Sequence, residues 1–126
     1  MLTEVVIADD DETIRTLLEH KLSSQGFATH VEEDGKAARQ FLDHPEIDPD
    51  AAVLDVMMPR LNGARLLRMV RRGELAVDSD LPIVLLTSRG RESDVLDGLD
   101  SGADEYMTKP FSPAELLVRV DRLLDE

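Results

Sequence analysis

The sequence predicts an α/β fold in which a parallel five-stranded sheet is covered by helices on both faces. Five short apolar runs, four of them rich in β-branched residues, alternate with stretches whose apolar residues recur at helical spacing. The runs Val5–Ile7 and Ile83–Leu86 are continuously apolar, as strands buried on both faces require. Parallel strands need long crossover connections, which helices supply. The 126 residues suit one such layered domain, so we expect a single domain over residues 1–126.

Each apolar run is bounded by polar or turn-forming residues, which sets the expected strand limits. The five predicted strands are Glu4–Ala8, Thr29–Glu32, Ala51–Asp55, Pro82–Thr87 and, more weakly, Glu105–Thr108.

Helical spacing follows every strand. The predicted apolar stripes are Ile14, Leu17, Leu18 and Leu22 in a first helix that ends near Gly26; Ala37, Ala38, Phe41 and Leu42 in a second; Leu66, Leu67 and Val70 in a third; Val95, Leu96 and Leu99 in a fourth; and Leu116, Val120, Leu123 and Leu124 in a fifth. The fifth helix also has a start signal, because Ser112 and Glu115 have the spacing of a capping box and Pro113 occupies the first helical position.

Composition excludes several classes of protein. The net charge of −13 argues against direct nucleic-acid binding by this domain, because the phosphate backbone favours a basic surface. The absence of cysteine excludes a disulfide scaffold and thiolate metal sites. The sequence contains no apolar run of the roughly 18 residues that a membrane span needs and begins without a basic leader, so we expect a cytoplasmic protein without membrane contact.

Polar residues with useful chemistry follow four of the predicted strands. In parallel α/β sheets, ligands bind at the carboxyl ends of the strands. The residues at these ends are Asp9 and Asp10 after the first strand, Asp55 at the end of the third, Thr87 and Ser88 at the end of the fourth, and Lys109 after the fifth. Three carboxylates beside one lysine favour a hard divalent cation such as Mg²⁺, for which Mn²⁺ is a substitute.

Helix capping is the alternative explanation for these acids, because negative charge is also favoured at a helix start. We assign Asp11 and Glu12 to the start of the first helix. We assign Asp9 and Asp10 to a metal site, because they are expected at the same sheet edge as Asp55.

Asp55 is poorly explained as a cap, because a loop containing Pro59 separates it from the next helix. A carboxylate beside a metal can act as a nucleophile and form an acyl phosphate. Thr87 and Lys109 would then supply a hydrogen bond and positive charge to the transferred phosphoryl group. The histidines (His20, His30 and His44) are expected in helix and loop contexts, as surface residues remote from this edge.

Four segments in combination resemble a known family, the receiver domains of two-component response regulators, or CheY-like superfamily. The segments are the pair Asp9-Asp10, LDVMMPRLNG, LLTS and GADEYMTKPFSPAEL, and the resemblance extends from about Val5 to Leu124. It implies a flavodoxin-like (βα)5 three-layer sandwich with the strand order 2-1-3-4-5.

The resemblance also implies roles for the strand-end residues. Asp55 would be the phosphoacceptor, taking a phosphoryl group from a sensor histidine kinase, a histidine phosphotransfer protein or a small phosphodonor. Asp10, Asp55 and the backbone carbonyl of Met57 would hold Mg²⁺, and Asp9 would contribute through metal-bound water. Thr87 and Lys109 would contact the phosphoryl group.

A conformational switch is a further implication of the resemblance. Phosphorylation would draw Thr87 inward and let Tyr106 turn from an exposed to a buried rotamer, altering the face formed by the fourth helix, fifth strand and fifth helix. That face would contact an output domain or effector, or form a phosphorylation-dependent homodimer. The charged residues that suit such a dimer are Asp94, Asp104, Glu105 and Arg119, although Asp121 stands where a basic residue is expected. The Lys109-Pro110 peptide would be cis.

We expect a phosphoacceptor switch and not an enzyme with a separate substrate. Three other functions compete with this interpretation. A metal-dependent hydrolase with an Asp nucleophile usually has a second acid two residues later, where this chain has Met57. A flavin carrier would need more aromatic residues than one Tyr, three Phe and no Trp. A receiver-like scaffold that is never phosphorylated would normally have lost an acid or the lysine, and all are present.

Overall fold

The computed structural model describes residues 2–88 and 102–124. Its strands are β1 (Glu4–Ala8), β2 (Ala28–Glu32), β3 (Ala51–Asp55), β4 (Ile83–Thr87) and β5 (Glu105–Thr108). Its described helices are α1 (Glu12–Ser24), α2 (Gly35–Leu42), α3 (Gly63–Arg71) and α4 (Pro113–Leu124). The fifth helix predicted from the sequence is thus α4, and the predicted fourth, with Val95, Leu96 and Leu99, lies outside the described residues.

The strands form one sheet in the order β2-β1-β3-β4-β5, and all neighbours are parallel. This confirms the predicted fold class and strand order. All five strands were predicted within one residue of their observed limits. The order brings β1, β3 and β4 to the middle of the sheet, so that their carboxyl ends lie side by side.

Two apolar clusters, one on each face of the sheet, form the core. Successive strand residues alternate between them: Val6 and Leu54 belong to the cluster with Leu66 of α3, whereas Ile7 belongs to the cluster with Leu18 of α1. Every residue of β3 and β4 is buried, which explains why these strands read as continuous apolar runs.

Helix starts follow local capping chemistry. Asp11 Oδ1 accepts a 2.9 Å hydrogen bond from the Thr13 N–H, which confirms its assignment as a cap of α1. Asn62 caps α3 in the same way. At α4 the capping box is incomplete, since Ser112 Oγ accepts from the Glu115 N–H at 3.4 Å but the Glu115 carboxylate binds Arg119 instead.

Two side chains differ from their predicted surroundings. Leu17 is 43% exposed, because the buried stripe of α1 runs through Leu18 and Leu22. His30 lies in β2 rather than in a helix or loop, and it is half-buried, with Nε2 3.0 Å from Glu4 Oε1 and its ring against Phe41. The predicted helix or loop context was therefore wrong for His30, because this residue lies in β2 and pairs with β1, although 36% of its side chain remains exposed.

At the amino edge of the sheet, Arg71 of α3 joins the starts of β4 and β5. Its guanidinium donates to the carbonyl of Leu81 at 2.7 Å and to the Asp104 carboxylate at 2.9 Å. The same Asp104 oxygen accepts from the Ile83 N–H at 2.8 Å. These bonds tie α3 to the entry of both strands. None of the described helices is long and apolar enough to cross a membrane.

Candidate functional site

Three carboxylates converge at the carboxyl edge of the sheet. Asp9 and Asp10 follow β1, Asp55 ends β3, and one carboxylate oxygen from each lies within 4.8 Å of the others. Asp9 is fully buried and Asp55 is 2% exposed, whereas Asp10 is exposed. The adjacent β1 and β3 create this cluster because their ends are paired in register, Ala8 opposite Leu54.

Lys109 is the cation of the site. Its Nζ lies 2.7 Å from Asp9 Oδ2 and 3.5 Å from Asp55 Oδ2. The Lys109 N–H donates to the carbonyl oxygen of Thr87, which anchors the chain after β5 to the end of β4. The Lys109-Pro110 peptide is cis, as expected. Burial lowers the pKa of Lys109, but the hydrogen bond to Asp9 and the charge of Asp55 outweigh it, so the pKa is raised and the ammonium stays charged.

Asp9 is held in place at both carboxylate oxygens. Oδ1 accepts a 2.9 Å hydrogen bond from the Asp11 N–H, and Oδ2 accepts the Lys109 ammonium. The main-chain oxygen of Asp9 accepts from Arg15 Nη1 at 2.9 Å. Asp9 is thus a fixed part of the site, and the exposed Asp10 is its most accessible acid.

The loop after β3 shapes the surroundings of Asp55. The Met57 N–H donates to Asp55 Oδ1 at 3.3 Å, while the Met57 side chain is 47% exposed. Gly63 donates its N–H to the Val56 carbonyl at 3.1 Å, so the start of α3 folds back onto β3. A Cβ atom at Gly63 would overlap the carbonyl group of Asp55, so only glycine fits this close approach.

Burial and like charge act together on Asp55. Loss of solvation, followed by repulsion from Asp9, raises the pKa of Asp55 to about 6 from its ordinary value of 3.8. The charge of Lys109 and the Met57 N–H partly oppose this shift. With three acids and one lysine the cluster carries an excess of negative charge, which a bound cation would neutralise.

The donor set matches a hard divalent cation. It consists of carboxylate oxygens from separate strand ends, two of them buried, with one exposed acid on the open side. Mg²⁺ prefers such oxygen ligands and retains several waters, so the residues present fit this ion.

The remaining predicted residues have different positions relative to this cluster. Thr87 ends β4 and is 1% exposed, and Ser88 after it is exposed. Tyr106 lies in β5, half-buried against the apolar cluster that includes Leu85. His20 and His44 are exposed, as predicted. Asp94 lies outside the described residues.

Sequence reasoning missed two residues that shape the site. Arg15 was not singled out, although its place in the first turns of α1, just after the acid pair, was a usable signal. Gly63 has no sequence signal beyond its place at the end of the loop that contains Pro59. Its role depends on how closely α3 approaches β3, which no local pattern contains.

Comparison with known proteins assigns the family. The family model for the response regulator receiver domain matches residues 5–121. The chain is 41% identical over 124 residues to the response regulator MprA of Mycolicibacterium vanbaalenii, covering 98% of this chain and 51% of that protein. It therefore spans about half the length of the curated relatives it matches.

Solved structures give the same result. The receiver domain of the Francisella response regulator 1452 superposes with a TM-score of 0.89 at 35% identity, covering 98% of this chain and 97% of that one. The BeF3-activated DrrB receiver domain superposes with a TM-score of 0.84 at 33% identity, covering both chains fully. The chain belongs to the response regulator receiver domain family.

Proposed function

We propose that Asp55 accepts a phosphoryl group and that the domain is a phosphorylation-controlled signalling switch. The observation that carries this proposal is the buried Asp55 carboxylate, 3.5 Å from Lys109 Nζ and clustered with two further acids. With its pKa raised to about 6, Asp55 is still largely ionised at neutral pH and can act as a nucleophile.

The transfer is a substitution at phosphorus. An ionised Asp55 oxygen attacks the phosphorus of a phosphohistidine on a kinase or phosphotransfer protein, or of a small phosphodonor. For a phosphohistidine, the new P–O bond replaces the P–N bond, and the imidazole leaves and takes a proton from solvent. The product is an acyl phosphate on Asp55, and water reverses the modification by hydrolysing it.

Mg²⁺ is the cofactor we assign to this site, with Mn²⁺ as a substitute. Asp10, Asp55 and the backbone carbonyl of Met57 would hold it directly, and Asp9 through a water. When bound, the ion supplies positive charge to the oxygens of the transferring phosphoryl group. The exposure of Asp10 supports this arrangement, because the ion and its waters need access from solvent.

Lys109 and Thr87 would receive the phosphoryl group. Lys109 already lies between Asp9 and Asp55, so its ammonium would pair with a phosphoryl oxygen after a small movement. Thr87 ends the neighbouring strand and would hydrogen-bond another oxygen. We propose that this contact moves Thr87 and lets the half-buried Tyr106 change rotamer, which would alter the surface of β5 and α4.

The partners follow from this role. A sensor histidine kinase or histidine phosphotransfer protein would supply the phosphoryl group, and an output domain or effector would read the altered surface. A phosphorylation-dependent homodimer through that surface is a further proposal. In the structure Glu105 binds Arg119 at 3.2 Å and Asp104 binds Arg71, so a dimer would require these pairs to be shared or exchanged. Direct nucleic-acid binding by the domain is disfavoured by its net charge of −13.

Two alternatives remain distinguishable. A hydrolase with an Asp nucleophile would turn over a phosphorylated substrate, but the position two residues after Asp55 is Met57, with its side chain 47% exposed. A scaffold that is never phosphorylated would not keep a buried nucleophile beside a lysine, since the acid cluster destabilises the metal-free protein.

Intact-mass measurement after incubation with acetyl phosphate and Mg²⁺ tests the proposal. We expect one phosphoryl adduct on the wild-type protein and none on Asp55→Asn. Asp11→Asn is the matched control. It removes the charge of an acid next to Asp10 that caps α1, and the phosphoryl adduct should still form. An adduct on Asp55→Asn, or none on the wild type, would overturn the assignment.

A further inference from the structure

Arg15 is a half-buried cation of α1 whose side chain reaches the acid cluster through the main chain. Its Nη1 donates a 2.9 Å hydrogen bond to the main-chain oxygen of Asp9. That oxygen belongs to the peptide group joining Asp9 to Asp10, two of the three acids of the cluster. The bond therefore acts on the orientation of the peptide from which Asp10 projects.

The partner of Arg15 sets it apart from the other half-buried arginines of the described chain. Arg71 and Arg119 both bind side-chain carboxylates, at 2.9 Å and 3.2 Å. Arg15 makes no ion pair within 4.0 Å among residues 2–88 and 102–124, although the peptide group that it contacts joins two acids of the cluster. Its hydrogen bond to a neutral carbonyl oxygen indicates an effect on backbone geometry.

Asp10 is the acid that needs such support. The Asp9 side chain is buried and bound at both oxygens, so its position does not depend on Arg15. The Asp10 side chain is exposed, so packing does not fix it. Its placement depends on the hydrogen bond that it shares with the Asp55 carboxylate and on the backbone between β1 and α1, where the Arg15 hydrogen bond acts.

We propose that Arg15 is a positioning residue that preorganises Asp10 for binding a divalent cation. The inference rests on the proposed function, because it assumes that the acid cluster holds Mg²⁺. Groups that orient metal ligands typically change metal affinity 10- to 100-fold when removed, and a single bond to the main chain belongs at about the low end of that range.

Charge and geometry predict opposite effects of removing Arg15, which makes the test decisive. The guanidinium charge repels a bound cation, so loss of the charge alone would tighten Mg²⁺ binding. Loss of the hydrogen bond would leave Asp10 less ordered and would weaken Mg²⁺ binding. We expect the geometric effect to exceed the charge effect, because Arg15 is only half-buried and its charge is partly screened by water and salt.

The experiment is a Mg²⁺ titration of ¹⁵N-labelled protein, followed by the amide shifts of Asp10 and Met57. We expect Arg15→Met to weaken Mg²⁺ binding about tenfold. Arg15→Lys, which keeps the charge and one donor, should restore part of the affinity. Arg39→Met, an exposed arginine of α2 with the same change of charge, should bind within about twofold of wild type.

A metal-free readout accompanies the titration. Amide ¹⁵N relaxation should show greater mobility at Asp10 in Arg15→Met than in wild type, with β3 unchanged. If Arg15→Met fails to fold, the test is the Mg²⁺ affinity of Arg15→Lys, which should be lower than that of wild type.

The outcomes separate this inference from the proposed function. Unchanged or tighter Mg²⁺ binding by Arg15→Met, with normal binding by wild type, would overturn the role of Arg15 alone. Absence of Mg²⁺ binding by wild type would overturn the proposed metal site and the inference with it.

Discussion

Lys109 Nζ lies 2.7 Å from Asp9 Oδ2, although the two residues are 100 positions apart in the chain. The pair is well shielded from solvent, with 1% of the Asp9 side chain and 18% of the Lys109 side chain exposed. It neutralises one acid of the cluster and leaves Asp10 and Asp55 as the acids that carry the excess negative charge. The lysine therefore supports the metal-free fold and holds a positive charge 3.5 Å from Asp55 Oδ2.

Replacing Lys109 with methionine should separate stability, metal binding and phosphorylation. The metal-free protein should lose about 3 kcal/mol of unfolding free energy, because the buried Asp9 charge loses its partner. Mg²⁺ binding should become tighter, since a repelling charge is gone. Phosphorylation by acetyl phosphate should slow at least about tenfold, because the transferring group loses a positive partner.

Urea unfolding in EDTA, Mg²⁺ titration and intact-mass kinetics measure these three effects. Lys36→Met is the control, because Lys36 is an exposed residue of α2 with the same charge, and it should change none of them appreciably. Weaker Mg²⁺ binding by Lys109→Met than by wild type would contradict this account of the site.

Asp10 and Asp11 are adjacent acids for which we expect opposite phenotypes. Asp10→Asn should reduce Mg²⁺ affinity at least about tenfold and leave metal-free stability nearly unchanged, because Asp10 is an exposed acid of the cluster. Asp11→Asn should leave Mg²⁺ affinity unchanged, because its side chain caps α1. Asp11→Ala, which removes the cap, should cost about 1 kcal/mol of stability.

Calorimetric Mg²⁺ titration and urea unfolding of the three variants provide the comparison. If Asp11→Asn bound Mg²⁺ as weakly as Asp10→Asn, the assignment of Asp10 to the metal and of Asp11 to the helix cap would be refuted.

The raised pKa of Asp55 predicts a pH-dependent stability in the absence of metal. The folded-state pKa is about 6 and the ordinary value is 3.8, so the folded state binds this proton more tightly than the unfolded state. The stabilising contribution of the protonated group is therefore complete below about pH 4, decreases as the pH rises through 6, and is lost above it. A shift of this size corresponds to about 2–3 kcal/mol.

Asp55→Asn isolates this effect, because the other titrating groups are the same in both proteins. The variant should be more stable than wild type by about 2 kcal/mol at pH 7 in EDTA and of similar stability at pH 4. Urea unfolding at four pH values between 4 and 7 measures the difference. A constant difference across this range would show that Asp55 titrates normally.

Gly63→Ala should disturb the site through the backbone. A Cβ atom there would overlap the Asp55 carbonyl, so α3 must move away from β3 at a cost of about 2–3 kcal/mol. Mg²⁺ affinity should fall as well, because the end of β3 moves with it. Thermal unfolding and Mg²⁺ titration give the two measurements.

Gly73→Ala is the matched control for this substitution. Gly73 has a φ of +72° and open space around its Cβ position, so alanine there should cost only the backbone strain of about 1 kcal/mol. Its Mg²⁺ affinity should equal that of wild type. Equal losses of stability in the two variants would argue against the close contact at Gly63.

The sequence alone predicted the strands and helices that the structure describes, and it predicted that the acids and the lysine would meet at one sheet edge. Periodicity located all five strands, because burial on two faces demands continuous apolar runs such as Ile83–Leu86. The rule that strand ends gather at one edge then grouped Asp9, Asp10, Asp55 and Lys109. The strand order came from the resemblance to a family, because periodicity does not say which strands are neighbours.

Tertiary structure decided the surroundings of each of these residues. It buried Asp9 beside Lys109 and left Asp10 exposed. The two residues are adjacent aspartates, so the sequence does not predict that their burial differs. It raised the pKa of Asp55, brought Gly63 against the Asp55 carbonyl and directed Arg15 to the carbonyl of Asp9. The physical reason is that electrostatic interaction and steric contact depend on distances between residues far apart in the chain, which are set only when the strands pair and the helices pack.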